Sequence, residues 1–413
     1  MERRKIYILA SAILWPLTLL NFAYLTQYYI PLGSDLPQDY CAGLSWLKHG
    51  LIYGSSVRDE CVATLGFVNI ENYHPPFYTL LVLPLTSLPY AAGVWLWNLI
   101  NLVALVFAVV QLVRTLNLPS HFKLLLPALV LLWNPAAENF SVNHSAGLLT
   151  LFVVLCWKFL RTDRDVAAGC VLAIASLMKL YPALLLLQLL AARRVKALVS
   201  FCLTVAVGMT LCVAVFGIPE VQLYFTEIIG ASMSHWALSV GNLSLRGIVA
   251  SLFTVTPWTT PVFDLSPYFS ILLILFQAAL VALILWCVFR ASHRGQEELS
   301  FCVLLIGALL LSPLSWGHAL LLSVVPIGVV LKEGRGSKKI NWMVILAVCF
   351  GMLPSFEITR LLQSELNTVK IPFQYLWLIK GGSVSLLLLL FAGLYCISKP
   401  VSRNGAPSLP YEL

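Results

Sequence analysis

Apolar runs follow one another along most of the chain, separated by short polar turns except at two longer connections. This pattern leaves few folds open. In hydrocarbon every backbone N–H and C=O must be satisfied within the structure, so such runs are expected as helices. Of the 413 residues, 60% are hydrophobic and 11% charged. A soluble domain could not hide that much apolar surface. About twelve membrane spans are expected, at 6–28, 91–113, 122–136, 145–160, 166–179, 181–192, 196–217, 268–290, 299–312, 317–332, 340–356 and 373–397. Several are shorter than the ~20 residues of a full crossing. The run 75–88 starts at Pro75-Pro76 and ends before Pro89, and is expected as a re-entrant or interfacial helix. The reading is an all-α polytopic membrane protein with one integral domain over 1–413.

Charge orients this map. With the N-terminus in the cytoplasm, the inner segments receive Arg3, Arg4, Lys5, Arg114, Lys123, Lys158, Arg161, Arg164, Arg193, Arg194, Lys196, Arg290, Arg294, Lys332, Arg335, Lys338, Lys339, Lys399 and Arg403. The outer segments keep only Lys48, Arg58, Arg246, Arg360 and Lys370. That is the positive-inside bias, and counting 75–88 as a crossing would invert it. The net charge of +8 is therefore a topology signal and no footprint for nucleic acid. Met1-Glu-Arg-Arg-Lys5 and the run behind it resemble a signal peptide, but no small-residue cleavage site follows, so an uncleaved first span is expected. Two outer loops are long, 29–90 and 218–267. None of the ten cysteines has metal-ligand spacing. Cys41 and Cys61 share the first outer loop and can pair in an oxidising compartment.

Chemistry-bearing residues gather on the outer side. Asp35 heads a segment whose Leu36, Tyr40, Leu44, Leu47 and Leu51 recur at helical spacing, with Asp39, Lys48 and His49 off that stripe. This predicts an amphipathic helix lying along the outer surface. Asp35 can be its N-cap, completed by Gln38 as a capping box, or a functional acid; Asp39 then reads as solvated or supporting. His74 is aimed by Pro75-Pro76. Asn134-Pro135 followed by Glu138, Asn139, Ser141, Asn143, His144 and Ser145 makes an unusually polar outer turn. Lys179 falls at the outer turn of a hairpin between two cytoplasmic clusters, where a lysine calls for an anion or snorkels to the interface. Arg246, near Asn242 in the second outer loop, has the shape for a phosphate. His318 lies in the later turn Ser312-Pro313-Leu314-Ser315-Trp316-Gly317. No Walker loop, Rossmann fingerprint, zinc motif or nucleophile elbow appears in a fitting context.

Several of these elements, in order, resemble glycosyltransferase family 87, multi-span enzymes of the GT-C type that use polyprenyl-phosphate sugars. The resemblance runs through Asp35-Leu36, Tyr40, Ala42, Gly50 and Tyr53. It continues in Tyr73, Pro75-Pro76-Phe77, Pro84, Leu88-Pro89, Leu96-Trp97 and Leu99-Ile100-Asn101, then Ala168-Gly169, Lys179, Pro182, Asn242, Ser244, Ser312-Pro313, Ser315-Trp316 and His318. It departs from the family pattern at the inserted His74, at Asp39 in place of Tyr, at Val142-Asn143-His144-Ser145 in place of a Gly-Gln-x-Asn turn, and at Ala319 in place of a second histidine.

The resemblance implies transfer of a sugar, most often mannose, from a lipid monophosphate to a hydroxyl of a glycolipid or envelope glycan, on the outer face of the plasma (inner) membrane. It implies Asp35 as catalytic base and His318 facing the phosphate. His318 with Lys179 and Arg246 makes the expected donor-phosphate set. Asp39, Tyr40, His74, Asn143, His144 and Asn242 are expected around the sugar, the acceptor or their supports. One carboxylate suffices for an inverting displacement, so no cofactor and no essential metal are expected. A flippase or transporter for lipid-linked saccharides, a non-catalytic prenyl-phosphate-binding subunit, and arabinosyl transfer on the same fold are the rival readings.

Overall fold

The computed structural model describes residues 2–31, 33–68 and 70–398; Lys399 and Arg403 of the charge map lie outside them. Among the described residues the chain is helical from end to end and has no strand, only an isolated bridge between Thr259 and Ile371.

Five helices are long and apolar enough to cross a membrane: Lys5–Tyr28, Tyr90–Thr115, Val195–Phe216, Ser266–His293 and Gly381–Ser398. Lys338–Phe350 and Ser355–Glu365 would make a sixth as a pair, bent by 69°. Other runs expected as spans are also helical but shorter. Phe122–Leu132 has 11 residues, Asp165–Met178 has 14, Glu297–Leu311 has 15 and Ala146–Arg161 has 16. Length and apolarity alone thus single out five of the expected crossings among the described residues, or six with the bent pair. Proline-bearing polar turns cut the rest short, at Asn134-Pro135, Tyr181-Pro182 and Ser312-Pro313. The stretch expected as re-entrant is a short helix, Pro76–Val82, that tightens into a 3-10 turn, Leu83–Ser87.

The long helices divide by what surrounds them. In Tyr90–Thr115 and Gly381–Ser398, 61% of the apolar window is inside the protein, against 17% in Lys5–Tyr28 and Ser266–His293. The outer pair exposes Leu9, Leu20, Ile274 and Phe289, a surface that suits hydrocarbon better than water. Glu297–Leu311 is buried continuously from Leu299 to Leu310. A helix apolar all round belongs in the middle of a bundle, and this one packs against Gly381–Ser398 and Phe269–His293.

The first outer loop is a folded unit rather than a loose connection. After α1 (Glu2–Tyr28) come α2 (Asp35–His49), α3 (Ser55–Leu65) and α4 (Pro76–Val82), before α5 (Tyr90–Thr115). Gly50 and Gly66 close α2 and α3 in the left-handed region, at φ 72° and 70°, where a side chain would be strained. A disulfide joins Cys41 to Cys61, tying α2 to α3. Lys48 and His49 reach Glu60 at 2.7 and 3.3 Å, and Ile52 N–H donates to Glu220 of the second outer loop at 2.8 Å. The buried face of α2 differs from the expected stripe. Leu36 and Tyr40 are buried, but Leu47 is 60% and Leu51 42% exposed, while Asp39 is wholly enclosed. Hydrophobic spacing could not anticipate an acid on the inner face, because its burial depends on partners supplied from α4 and the turn before it.

The disulfide is directly testable. Mass spectrometry of protein denatured without reductant and alkylated should show eight modified cysteines, the free set of Cys156, Cys170, Cys202, Cys212, Cys287, Cys302, Cys349 and Cys396. Prior reduction should raise this to the full ten.

Candidate active site

Asp35 is the first residue of α2. Its N–H donates to the Val142 carbonyl at 3.0 Å, and Ser34 flanks the helix with no side-chain cap. The carboxylate is therefore not spent on the helix end, which sets aside the capping-box reading. Gln38 instead holds it from one turn further on. Its Nε2 donates to Asp35 Oδ1 at 3.3 Å and to Ser34 O at 3.0 Å, and its Oε1 takes the Tyr73 N–H at 3.3 Å. The side chain, 17% exposed, borders a cavity of about 580 Å³.

Other segments of the chain complete the wall. His144 and Val142 come from the turn after Asn134–Ser141, which turns because Asn143 adopts φ 59°. Lys179 follows the end of Asp165–Met178, with Tyr181 and Leu184 behind it. The turn 312–319 brings His318 and Trp316, and the second outer loop adds Ile229, Met233 and Trp236. The cavity is thus polar on the α2 side and greasy on the other, which suits a ligand with a charged head and an apolar tail.

The polar side is tightly arranged. His144 Nε2 lies 4.0 Å from Asp35 Oδ2. The His144 and His318 rings stack at 3.7 Å between centroids and 27° between planes, and His318 Nδ1 is 3.7 Å from Glu138 Oε1. Lys179 Nζ stands 5.6 Å from the centre of the Tyr78 ring. Burial raises the pKa of Asp35, against the pull of His74 and Lys179. Burial likewise lowers Lys179, and the carboxylates of Asp35 and Asp39 pull it back up. Both stacked histidines are held well below the usual imidazole range, first by burial and then by nearby positive charge. Glu138 is pushed up to about 7 by burial, opposed by the backbone N–H groups of His318 and Gly317. A side chain at 317 would collide with the Glu138 carboxylate, so the glycine is what lets that carboxylate close over the turn.

Asp39 never touches the cavity; it works through His74. Its Oδ2 takes His74 Nδ1 at 2.5 Å and its Oδ1 takes the Thr79 hydroxyl at 2.7 Å. Asn72 extends the chain, donating to Thr79 and accepting the His74 N–H, both at 3.0 Å. Tyr53 donates its hydroxyl to the His74 carbonyl at 2.7 Å. The imidazole is thereby fixed at the cavity wall beside Asp35.

The other expected residues are elsewhere. Tyr40 is buried and donates to the Leu88 carbonyl at 2.8 Å. Asn143 is enclosed, taking Asn98 Nδ2 at 2.9 Å, while its carbonyl takes Trp97 Nε1 at 3.1 Å. Asn242 ties the second outer loop to the 312–319 turn, donating to Pro313 O at 3.0 Å and accepting Ser315 N–H at 3.2 Å. Lys380 locks the same loop from below, at 2.9 Å from both Val240 O and Asn242 O. Arg246 is half-buried on Leu245–Phe253 and does not line the cavity. Gln38, Glu138 and Trp236 do line it, and none of them was expected among the site residues. For Glu138 the one available signal was its place in a polar outer turn.

The model of glycosyltransferase family 87 matches residues 72–323. That stretch holds His74, Glu138, His144, Lys179 and His318 and begins after Asp35. Two relatives are each named a polyprenol-phosphate-mannose-dependent alpha-(1-2)-phosphatidylinositol pentamannoside mannosyltransferase, and each is 27% identical to this chain. The one from Mycobacterium tuberculosis aligns over 348 residues, 80% of this chain and 75% of its own. The one from Mycolicibacterium smegmatis aligns over 283 residues, 65% of this chain and 64% of its own.

Replacing Asp39 with alanine would orphan a buried imidazole and a buried hydroxyl. Each unsatisfied buried group costs about 1–3 kcal/mol, so thermal unfolding in detergent should shift clearly downward in Asp39→Ala. An unshifted melting curve would mean that the Asp39–His74 pair contributes nothing to holding the wall.

Proposed function

The chain belongs to glycosyltransferase family 87, and on that premise we propose that it moves mannose from a polyprenyl-phosphate donor to a hydroxyl of a glycolipid or envelope glycan. The observation that carries this reading is the Asp35 carboxylate, held by Gln38 at the edge of a cavity that is polar at one wall and apolar at the other. Its volume of about 580 Å³ lies within the ~300–1,000 Å³ usual for ligand pockets.

A sugar hydroxyl is a weak nucleophile at neutral pH. A carboxylate within hydrogen-bond reach takes its proton as the new bond forms, and Asp35 is assigned that role. The acceptor oxygen bonds to the anomeric carbon while the bond from that carbon to the phosphate oxygen breaks. The polyprenyl phosphate leaves with the electron pair, and Asp35 carries the proton to solvent. A single displacement of this kind inverts the anomeric centre. The departing phosphate needs positive charge and N–H donors aimed at it; Lys179 supplies the charge and His318 a ring N–H. His74 and His144, beside Asp35, are assigned to hydroxyls of the sugar or acceptor. The isoprenoid tail takes the side of Leu184, Ile229, Met233 and Trp236. Arg246, which does not line the cavity, is given no part in the phosphate contact. No metal is required by any step.

The charge map supports a cytoplasmic N-terminus and a reaction at the outer face of the plasma membrane, since Asp35, His74 and Glu138 all fall on the side poor in lysine and arginine.

Purified protein incubated with polyprenyl-phosphate mannose and a lipid extract should yield mannosylated lipid. Asp35→Asn should lower turnover by about 10²–10⁴-fold, the usual worth of a general base, with donor binding unchanged. Near-normal turnover in that variant would remove Asp35 from the mechanism. Lys179→Met should raise the KM for donor by about tenfold or more, since a charge-assisted hydrogen bond contributes about 1.5–3 kcal/mol; an unaltered KM would free the lysine from the phosphate.

A further inference from the structure

Asp35, His144 and His318 each offer one donor atom, and the three atoms lie within 4.8 Å of one another. The two imidazoles come from turns far apart in sequence and are almost closed off from solvent, with side chains 3% and 6% exposed. Nδ1 of each is buried without a hydrogen bond among the described residues. His144 presents Nε2 to Asp35 at 4.0 Å and His318 backs Nδ1 onto Glu138 at 3.7 Å, which leaves the Nε2 nitrogens as the ligating pair with the buried Nδ1 atoms behind them.

We propose that Asp35, His144 and His318 form a binding site for a single divalent transition-metal ion of the zinc type, and that its occupancy silences the transferase by capturing Asp35. This rests on Asp35 acting as the base.

The donor set decides the class of ion. Two imidazole nitrogens and a carboxylate oxygen are ligands that Zn²⁺ takes at about 2.0–2.2 Å, with a remaining position for water. Magnesium and calcium prefer all-oxygen surroundings. Ligands at those bond lengths stand closer together than 4.8 Å, so the cluster must draw in by roughly 1 Å. The two rings, stacked at 3.7 Å, must turn apart so that their in-plane lone pairs converge on one ion. Among the described residues the one side-chain hydrogen bond that Asp35 accepts is the 3.3 Å contact from Gln38, so the carboxylate is free to follow. Glu138, 3.7 Å from His318 Nδ1, stands where a carboxylate behind a ligating imidazole orients the ring and strengthens it as a donor. Lys179 acts the other way: its positive charge, felt by both Asp35 and the histidines, repels a cation. The site is therefore a reversible one, filled when the ion is plentiful, rather than a permanent structural centre. Once bound to the ion, the lone pairs of Asp35 are not available to the acceptor proton, and the ion occupies the space where that hydroxyl would enter.

The test reads binding and turnover separately, on the full-length protein in detergent. Equilibrium dialysis against ZnCl₂ should give one ion per chain, and CoCl₂ should give the visible absorption of a nitrogen- and oxygen-ligated cobalt. His144→Ala and His318→Ala should each weaken binding by at least about tenfold, with circular dichroism and thermal melting confirming that both remain folded. Zinc should abolish mannosyl transfer by the wild-type protein, and EDTA should restore it. An absence of stoichiometric binding in the wild type overturns the proposal whatever the variants do. So does zinc bound equally well by both histidine variants, and so does a zinc-loaded protein that transfers as fast as, or faster than, the EDTA-treated one. Zinc held by these residues in a protein that transfers no sugar under any condition would uphold the metal site and end the transferase reading instead.

Discussion

A charge taken out of water must find a counter-charge or hydrogen bonds, and the cavity wall is built around that demand. Asp35, Asp39, Glu138, Lys179 and three histidines are crowded at the ends of apolar helices. None of the three acids is left to bear its desolvation alone. Asp39 is bound by His74 and Thr79, Glu138 by the backbone at Gly317 and His318, and Asp35 by Gln38 under the field of Lys179 and His74. The two acids of α2 divide the work. The one with two strong side-chain partners is enclosed, and the one with a single weak partner faces the cavity. A carboxylate saturated with donors is a poor base, so the less satisfied acid is the one that can accept a proton from elsewhere.

The demand extends to the backbone. The cavity lies where separate chain segments meet, and polar side chains tie several of them together alongside the apolar packing. Asn98 and Trp97 on α5 grip the turn that carries His144. Asn242 bonds the second outer loop to the turn that carries Trp316 and His318, and Lys380 anchors that loop through carbonyl oxygens. Asparagine suits this task because its amide donates and accepts at once. Hydrophobic contact alone tolerates sliding; a buried amide with fixed partners does not. Reacting groups need that precision more than the lipid-facing helices do.

Much of this was legible in the sequence because its causes are local or additive. Helicity follows from apolar runs in hydrocarbon, and the first outer loop was marked by its carboxylates and its paired cysteines. Asp35, His74, His144, Lys179 and His318 were singled out by residue type, position and the family resemblance, and the structure brings them to one cavity. Span count was less legible, since hydrophobicity reports burial but not whether lipid or protein does the burying. Glu297–Leu311 is as apolar as a crossing helix yet has 15 residues and is enclosed by its neighbours. Asp39 was left between a solvated and a supporting role because its partners come from 35 and 40 residues away. Arg246 looked suited to phosphate by type, but the helix that carries it does not bring it to the wall. Glu138 acquires meaning only through Gly317, a pairing that no spacing rule contains.

The same physics shapes the two histidines that face Asp35. Stacked at 3.7 Å, they cannot both be imidazolium without strong repulsion, and burial disfavours even one. In the proposed reaction, neutral rings would leave Lys179 as the cation facing the donor's phosphate, so that the product lipid phosphate can leave. Neutrality has a chemical consequence, however. A ring without its second proton keeps a lone pair, and two such lone pairs beside a carboxylate are attractive to a soft cation. A base that must stay unprotonated, with its neighbours uncharged, is open to capture by the ions that compete with protons for the same electrons.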